Sequence, residues 1–239
     1  MPVRADAPIT ITAFDWVPDF ARGQVRDLRV RWALEEVGQD YAVRCLPQGR
    51  QKEPAHRALQ PFGQVPTYEE GDLTLFESGA IVWHIAERFP GLMPEDPAGR
   101  ARALEWLIAA LNTLEPPIMD RSIATIFEAT EPWSAPRLPG IDMRIAERLQ
   151  EASDRLGAAE WFTGRFTAGD LMMVSVLRII EGDGLVETFP NLADYVARGT
   201  GRPAFQRALA AQMAGFTGDP PPGFDEWMAQ LQAKQGEMT

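Results

Sequence analysis

The stretch PFGQVPTYEEGDLTLFESGAIVWHIAERF, residues 61–89, carries more structural information than any other part of this chain. The short apolar runs VPTY and LTLF flank EEGD, and the glycine at 71 makes that junction read as a hairpin turn between two strands. From Ser78 the spacing of Ile81, Val82, Ile85 and Phe89 changes to that of a helix. Pro66 removes a backbone donor at the start of the first strand, which marks an edge or a turn. Glu77 and Ser78 fall where the second strand gives way to the helix. Serine is a natural N-cap, and an acid near a helix N-terminus is favoured by the helix dipole. The same arrangement of helix N–H groups and a hydroxyl describes an anion site, so both readings stand at this point.

Working outward, ITITAF (9–14) reads as a strand and DWVPDFARGQ (15–24) as a loop, given its proline, glycine and aspartates. Val25, Leu28 and Trp32, with Leu34 or Val37, share one helical face that ends at Gly38. YAVRCL (41–46) is a second strand, PQGRQKEP a turn and AHRALQ (55–60) a short helix. The order β-α-β-α-β-β-α follows, with a helical crossover joining the first two strands. PGLMPEDP (90–97) reads as a linker. Beyond it Leu104, Leu107, Ile108, Leu111 and Leu114 form a helical stripe, and four more helices are predicted within 141–157, 167–180, 191–199 and 203–213. No convincing strand follows residue 97. The tail, GFTGDPPPGFDEWMAQLQAK (215–234), is proline and glycine followed by a short amphipathic piece. An α/β domain over 1–89, a linker over 90–97 and an all-helical domain over 98–239 are expected.

The 239 residues carry a formal net charge of −11, which argues against nucleic acid or an anionic membrane as partner. No apolar run reaches the length of a membrane span, and the first residues lack the apolar core of a signal peptide. A cytoplasmic location is the expectation. Cys45 is the single cysteine, so neither a disulfide framework nor a CxxC pair is possible. The two histidines, His56 and His84, cannot build a multi-histidine metal site, and no metal is expected. His56 reads as solvent-facing, His84 as a satisfied structural residue, and Cys45 as buried in its strand.

PFGQVPTYEEGDLTLFESGAI together with RVRWALEE resembles the cytosolic glutathione transferase family. FTAGDLMMVSVL is similar to that family's helix-capping box and FPNLADYVARGTGRPAF to its usual ending, so the resemblance touches most of residues 9–210. It implies a thioredoxin-like βαβαββα domain followed by a helical bundle, with glutathione as co-substrate, a small hydrophobic electrophile as second substrate and a homodimer as the assembly.

Carried over residue by residue, the resemblance implies a cis bond before Pro66, which turns the Val65 backbone towards the cysteinyl backbone of glutathione. Glu77 and Ser78 would take the γ-glutamyl ammonium and carboxylate. Lys52, with Arg50 as the alternative, would meet the glycyl carboxylate; Gln51 stands where some classes carry histidine, and Gln64 adds a hydrogen bond. Thr167 and Asp170 have the spacing of a capping box and are read as structural. Trp106, Met119, Ile123, Phe127 and Trp133 fit either a second-substrate pocket or a helical core.

One departure from the family stands out. The family places a serine, tyrosine or cysteine in the loop after the first strand or at the start of the first helix, and FDWVPDFARGQVRDL has none. The serine position falls near Gly23 or Gln24. Arg22 by its charge, Gln24 or nearby N–H groups by hydrogen bonds, and Trp16 by its indole are the substitutes the loop offers for thiol activation. Arg22 and Gln24 are the catalytic candidates. A glutathione-binding or carrier module without turnover, and a glutathione-dependent reductase of disulfides or peroxides, are the alternative functions.

Overall fold

A computed structural model describes residues 3–226 and 228–229. Four strands, β1 (Ile9–Phe14), β2 (Tyr41–Leu46), β3 (Thr67–Glu70) and β4 (Leu73–Phe76), form one sheet in the order β2-β1-β3-β4. β1 and β2 run parallel, joined through α1 (Asp27–Glu36), whereas β3 is antiparallel to both β1 and β4. A four-residue α2 (Pro54–Arg57) precedes β3, and α3 (Ser78–Arg88) follows β4. The expected βαβαββα order and thioredoxin-like architecture are therefore present. The hydrophobic alternation of β1 buries Ile9, Ile11 and Ala13. Thr12, buried among them, accepts from the Thr67 amide at 2.7 Å and so ties β1 to the residue after Pro66. The Val65–Pro66 bond is cis.

The helices α4 (Pro97–Ala109), α5 (Glu115–Ser122), α6 (Ser134–Leu156), α7 (Ala168–Leu177), α8 (Pro190–Thr200) and α9 (Pro203–Ala214) follow. Among the described residues no strand lies beyond residue 97. A π turn at Ala110–Leu114 links α4 to α5 without a break. Pro116 and Pro117 lack the N–H groups that an α-helix would use there, which accounts for the wider turn. Every residue of α7 is buried, as its apolar character on all sides requires. Gly169 lets this helix reach α4: a Cβ there would lie 2.7 Å from the Ala103 carbonyl oxygen. The connection between the two halves is part of the core rather than a loose linker, because Leu92 and Met93 are buried and Leu92 accepts from the Ala168 amide at 2.9 Å.

The structure corrects several local expectations. Of the expected stripe Leu107 and Leu114 are buried and Leu111 packs against the core, but Leu104 and Ile108 are exposed, and Ala103 and Ala110 are buried in their place. The buried face thus keeps the 3.6-residue period and shares Leu107 and Leu114 with the expected stripe, with its edge moved from Leu104 and Ile108 to Ala103 and Ala110. Cys45 is exposed at the far end of the edge strand β2. His56 is buried rather than solvent-facing. His84 packs edge-on to Tyr68, yet its Nε2 lacks a hydrogen-bond partner among the described residues, so it is not fully satisfied. In the tail, Phe224–Glu226 begin a helical turn; Trp227 and residues from 230 onward lie outside the described part.

Candidate functional site

The segment before Pro66 is built for an approaching ligand. Gly63 has φ +61°, and a Cβ there would meet the Gln51 carbonyl oxygen at 2.8 Å and Lys52 Cδ at 2.9 Å. Only glycine lets the Gln51–Lys52 turn lie against Gln64 and Val65. His56 anchors the same segment from beneath: its Nε2 is 2.7 Å from the Gln64 carbonyl oxygen, which can only accept, so that nitrogen carries the hydrogen. Val65 is buried, yet among the described residues neither its N–H nor its C=O makes a hydrogen bond. A main-chain pair without a partner inside the fold, at a residue that is otherwise buried, is free to take one from outside.

Val65 lines a cavity of about 480 Å³ between the sheet-bearing part and the helices. Gln51, Lys52 and Gln64 share its wall with Gln24, Val25 and Arg26 at the start of α1. The opposite wall comes from Glu115, Met119 and Ser122 of α5, with Ile126 and Phe127 beyond it. A second cavity of about 340 Å³ adjoins the first through Arg26, Arg29, Glu115 and Met119, and holds Glu77 and Ser78.

At this second corner the serine does not act as the helix cap. Glu77 occupies the cap position of α3 and Ser78 is the first helical residue, but no side chain caps the helix. Ser78 Oγ instead accepts from Arg29 Nη1 at 3.3 Å. Glu77 has φ +69°, a conformation costly for any residue with a Cβ, and such outliers concentrate at functional sites.

Charge is concentrated nearby. Arg29 is buried and donates to Glu115 Oε2 at 3.3 Å and to Oε1 at 3.0 Å. Arg26 adds its Nε and Nη2 to Oε1, at 3.2 and 2.7 Å. Burial alone would raise the Glu115 carboxyl, but the two guanidinium groups outweigh it and hold the acid below its ordinary range. In the larger cavity Arg26, Arg29 and Lys52 outnumber Glu115 and leave a positive excess, whereas in the smaller one Glu77 and Glu115 balance the two arginines.

The expected residues thus divide. Gln24, Lys52, Gln64 and Val65 line the larger cavity, and Glu77 and Ser78 the adjoining one. Pro66 is buried behind Val65. Arg22 lines neither; it pairs with Asp19 at 3.2 Å and lies over the Phe216 ring. Gln24 donates to the Arg178 carbonyl at 3.3 Å, and Arg178 Nη1 returns a bond to the Gly23 carbonyl at 3.1 Å, so this loop is clamped to the end of α7. Arg50 pairs with Glu53. Trp16 packs edge-on against Phe224. Of the apolar candidates, Met119 and Phe127 line the cavity, whereas Trp106 stacks on Phe162 in the helical core.

Sequence reasoning missed Arg26, Arg29, Glu115 and His56. The i, i+3 spacing of Arg26 and Arg29 does place two cations on one helical face, but their acidic partner lies 86 residues beyond Arg29. Thr167 and Asp170 do form a capping box, and buried Asp170 also accepts from the Phe162 amide and the Tyr195 hydroxyl.

Residues 20–87 match the family profile described as "Glutathione S-transferase, N-terminal domain". Glutathione S-transferase 4 of Zea mays is 29% identical over 190 residues, covering 74% of this chain and 83% of that protein. The theta class glutathione S-transferase of Xanthomonas axonopodis pv. citri, solved with glutathione bound, superposes with a TM-score of 0.69 at 27% identity, over 85% of this chain and 97% of that one. Residues 20–87 thus match the N-terminal domain of glutathione transferases, and the fold as a whole is that of these enzymes. Coverage varies among these transferase relatives: glutathione S-transferases F9 and F10 of Arabidopsis thaliana are each 28% identical over 129 residues, and the match takes in only 60% of their length.

Proposed function

We propose that this chain is a glutathione transferase that binds glutathione across the two joined cavities and adds its thiolate to an electrophilic small molecule. The observation that carries the reading is the main chain of Val65, without a hydrogen bond among the described residues at the wall of the larger cavity. A cysteinyl residue laid antiparallel there satisfies both groups. The γ-glutamyl end then reaches the second cavity, where Ser78 and the uncapped start of α3 suit its carboxylate and Glu77 its ammonium. At the other end Lys52, with Gln51 beside it, meets the glycyl carboxylate.

The thiol lies towards the start of α1. Gln24 supplies a neutral donor and Arg26 the nearest cavity-lining cation, while Arg22 is turned away. Both groups favour the thiolate over the thiol, and the N-terminal end of α1 adds to them. The thiolate attacks an electrophilic carbon. A C–S bond forms, and either the leaving group departs with its electron pair or an unsaturated acceptor takes up a proton. Met119, Ile126 and Phe127 supply the apolar wall for the electrophile. Leu104 and Ile108, exposed on α4, suit pairing with a second copy, and a cytoplasmic location fits the same reading.

A panel of conjugation, peroxide-reduction and disulfide-reduction assays, run beside glutathione calorimetry, tests this function. Turnover of at least one carbon electrophile is expected. Saturable glutathione binding without any turnover would leave a binding or carrier module as the better description.

A further inference from the structure

The face of α5 that meets α1 passes from the smaller cavity to the larger. Leu111 and Pro116 line only the smaller one, Glu115 and Met119 line both, and Ser122 and Ile126 line only the larger. Glu115, Met119, Ser122 and Ile126 follow one another at helical spacing, so one stripe runs past both spaces. Ser122 is the first residue of that stripe to belong to the larger cavity alone. Among the described residues lining that cavity it is also the only one with a hydroxyl.

The same wall touches the start of α1, where Arg26 donates to Glu115 at 2.7 Å. Further along, Gln24 donates to the Arg178 carbonyl, and the next residue, Ile179, lines the larger cavity together with Gln24 and Ser122. Arg121 pairs with Asp142 of α6 and with Asp183, just beyond Ile179, which holds the end of α5 against that corner. Ser122 is half-buried, and its Oγ donates back along the helix to the Ile118 carbonyl at 3.2 Å, long for a hydroxyl donor. A hydroxyl rotates freely and can exchange such a bond for a stronger one to an anion.

We propose that Ser122 supplies, from the helical half of the chain, the hydroxyl that the loop after β1 lacks, donating a hydrogen bond to the thiolate of bound glutathione. The proposal rests on the proposed glutathione site. With the γ-glutamyl end in the smaller cavity and the cysteinyl backbone at Val65, the sulfur enters the larger cavity where the stripe reaches Ser122. The thiol gives its proton to solvent and Ser122 keeps its own, so the hydroxyl is a donor to the anion and not a base. A hydrogen bond to the charged form favours ionisation.

Ultraviolet titration of the bound thiol, beside calorimetry with S-methylglutathione on the full-length protein, tests this role. Ser122→Ala is expected to raise the pKa of bound glutathione by about one unit, as loss of a hydrogen bond to a charged group implies. S-methylglutathione, which has no thiol to ionise, is expected to bind the variant as it binds wild type. Ser122→Thr keeps the hydroxyl and is expected to titrate near wild type. An unmoved pKa in Ser122→Ala, a comparable loss of S-methylglutathione affinity, or a threonine variant that titrates like the alanine one would each overturn the assignment while the glutathione site stands. If wild type binds neither glutathione nor S-methylglutathione, the glutathione reading itself fails and the role of Ser122 falls with it.

Discussion

Arg29 and Glu115 meet as a buried pair, with both terminal nitrogens of the guanidinium on the carboxylate, joining α1 to α5 across the boundary between the two halves of the chain. Arg26 makes a second contact with the same acid. This cluster closes the interface and, with Lys52, gives the larger cavity its positive character.

Replacing the acid should therefore expose what it does for stability. Glu115→Gln leaves Arg29 buried without a counter-charge, a change that costs on the order of 3–5 kcal/mol. The folded acid titrates below its ordinary value of 4.5, so its contribution is fully present above that pH and is lost as pH falls through the lowered folded value. Thermal melts of wild type and Glu115→Gln should differ most near neutrality and converge in acid. A gap that stays constant or widens on acidification would contradict this sign.

Glu77 separates binding from folding. Glu77→Gly removes the proposed partner of the ligand ammonium but suits the positive φ better, so stability should hold or rise by up to about 1 kcal/mol. Glutathione affinity should nonetheless fall, by roughly 1–3 kcal/mol, with a similar loss for Ser78→Ala. Calorimetry with chemical denaturation measures both quantities. Wild-type affinity in both variants would remove the γ-glutamyl assignment.

Lys52 is exposed and its ammonium also reaches the Phe62 carbonyl at 3.3 Å. Lys52→Ala should weaken glutathione binding at low salt and matter much less at high salt, as screening of an exposed charge requires. A loss independent of salt would assign Lys52 a packing role instead.

Asp170 is a structural residue with unusually many dependants: the amides of Phe162 and Thr167 and the hydroxyls of Thr167 and Tyr195 all donate to it. Asp170→Ala leaves buried donors unpaired at roughly 1–3 kcal/mol each, more than a helix cap alone would lose. The melting temperature should drop sharply while the residual folded protein keeps its glutathione affinity. Selective loss of affinity at unchanged stability would contradict this.

Much of this architecture could be read in the chain because it is written locally. The hairpin at Gly71, the spacing after Ser78 and the Thr167–Asp170 box each depend on residues within a few positions of one another. What escaped reading is what depends on distant partners. The buried charge of Arg29 is legible only once Glu115 is beside it, and His56 looks like a surface residue until Gln64 folds over its ring. Arg22 failed as a cavity residue for the same reason, since Asp19 and a remote tail aromatic, Phe216, take its guanidinium. The π turns after α4 and α5 shift the apolar register, which is why Met119 and Phe127 reach the cavity while Trp106, on the same run of helices, packs into the core.

The central claim, that glutathione binds beside the start of α1 with its thiol activated there, meets its most direct test in an ultraviolet titration of the thiolate in the complex. A free thiol titrates near about 8.5. Bound to wild type it should titrate below its free value, and Arg26→Ala should raise it more than Gln24→Ala does, because a cation stabilises an anion more than a neutral donor can. A bound thiol that titrates no lower than free glutathione would contradict the account.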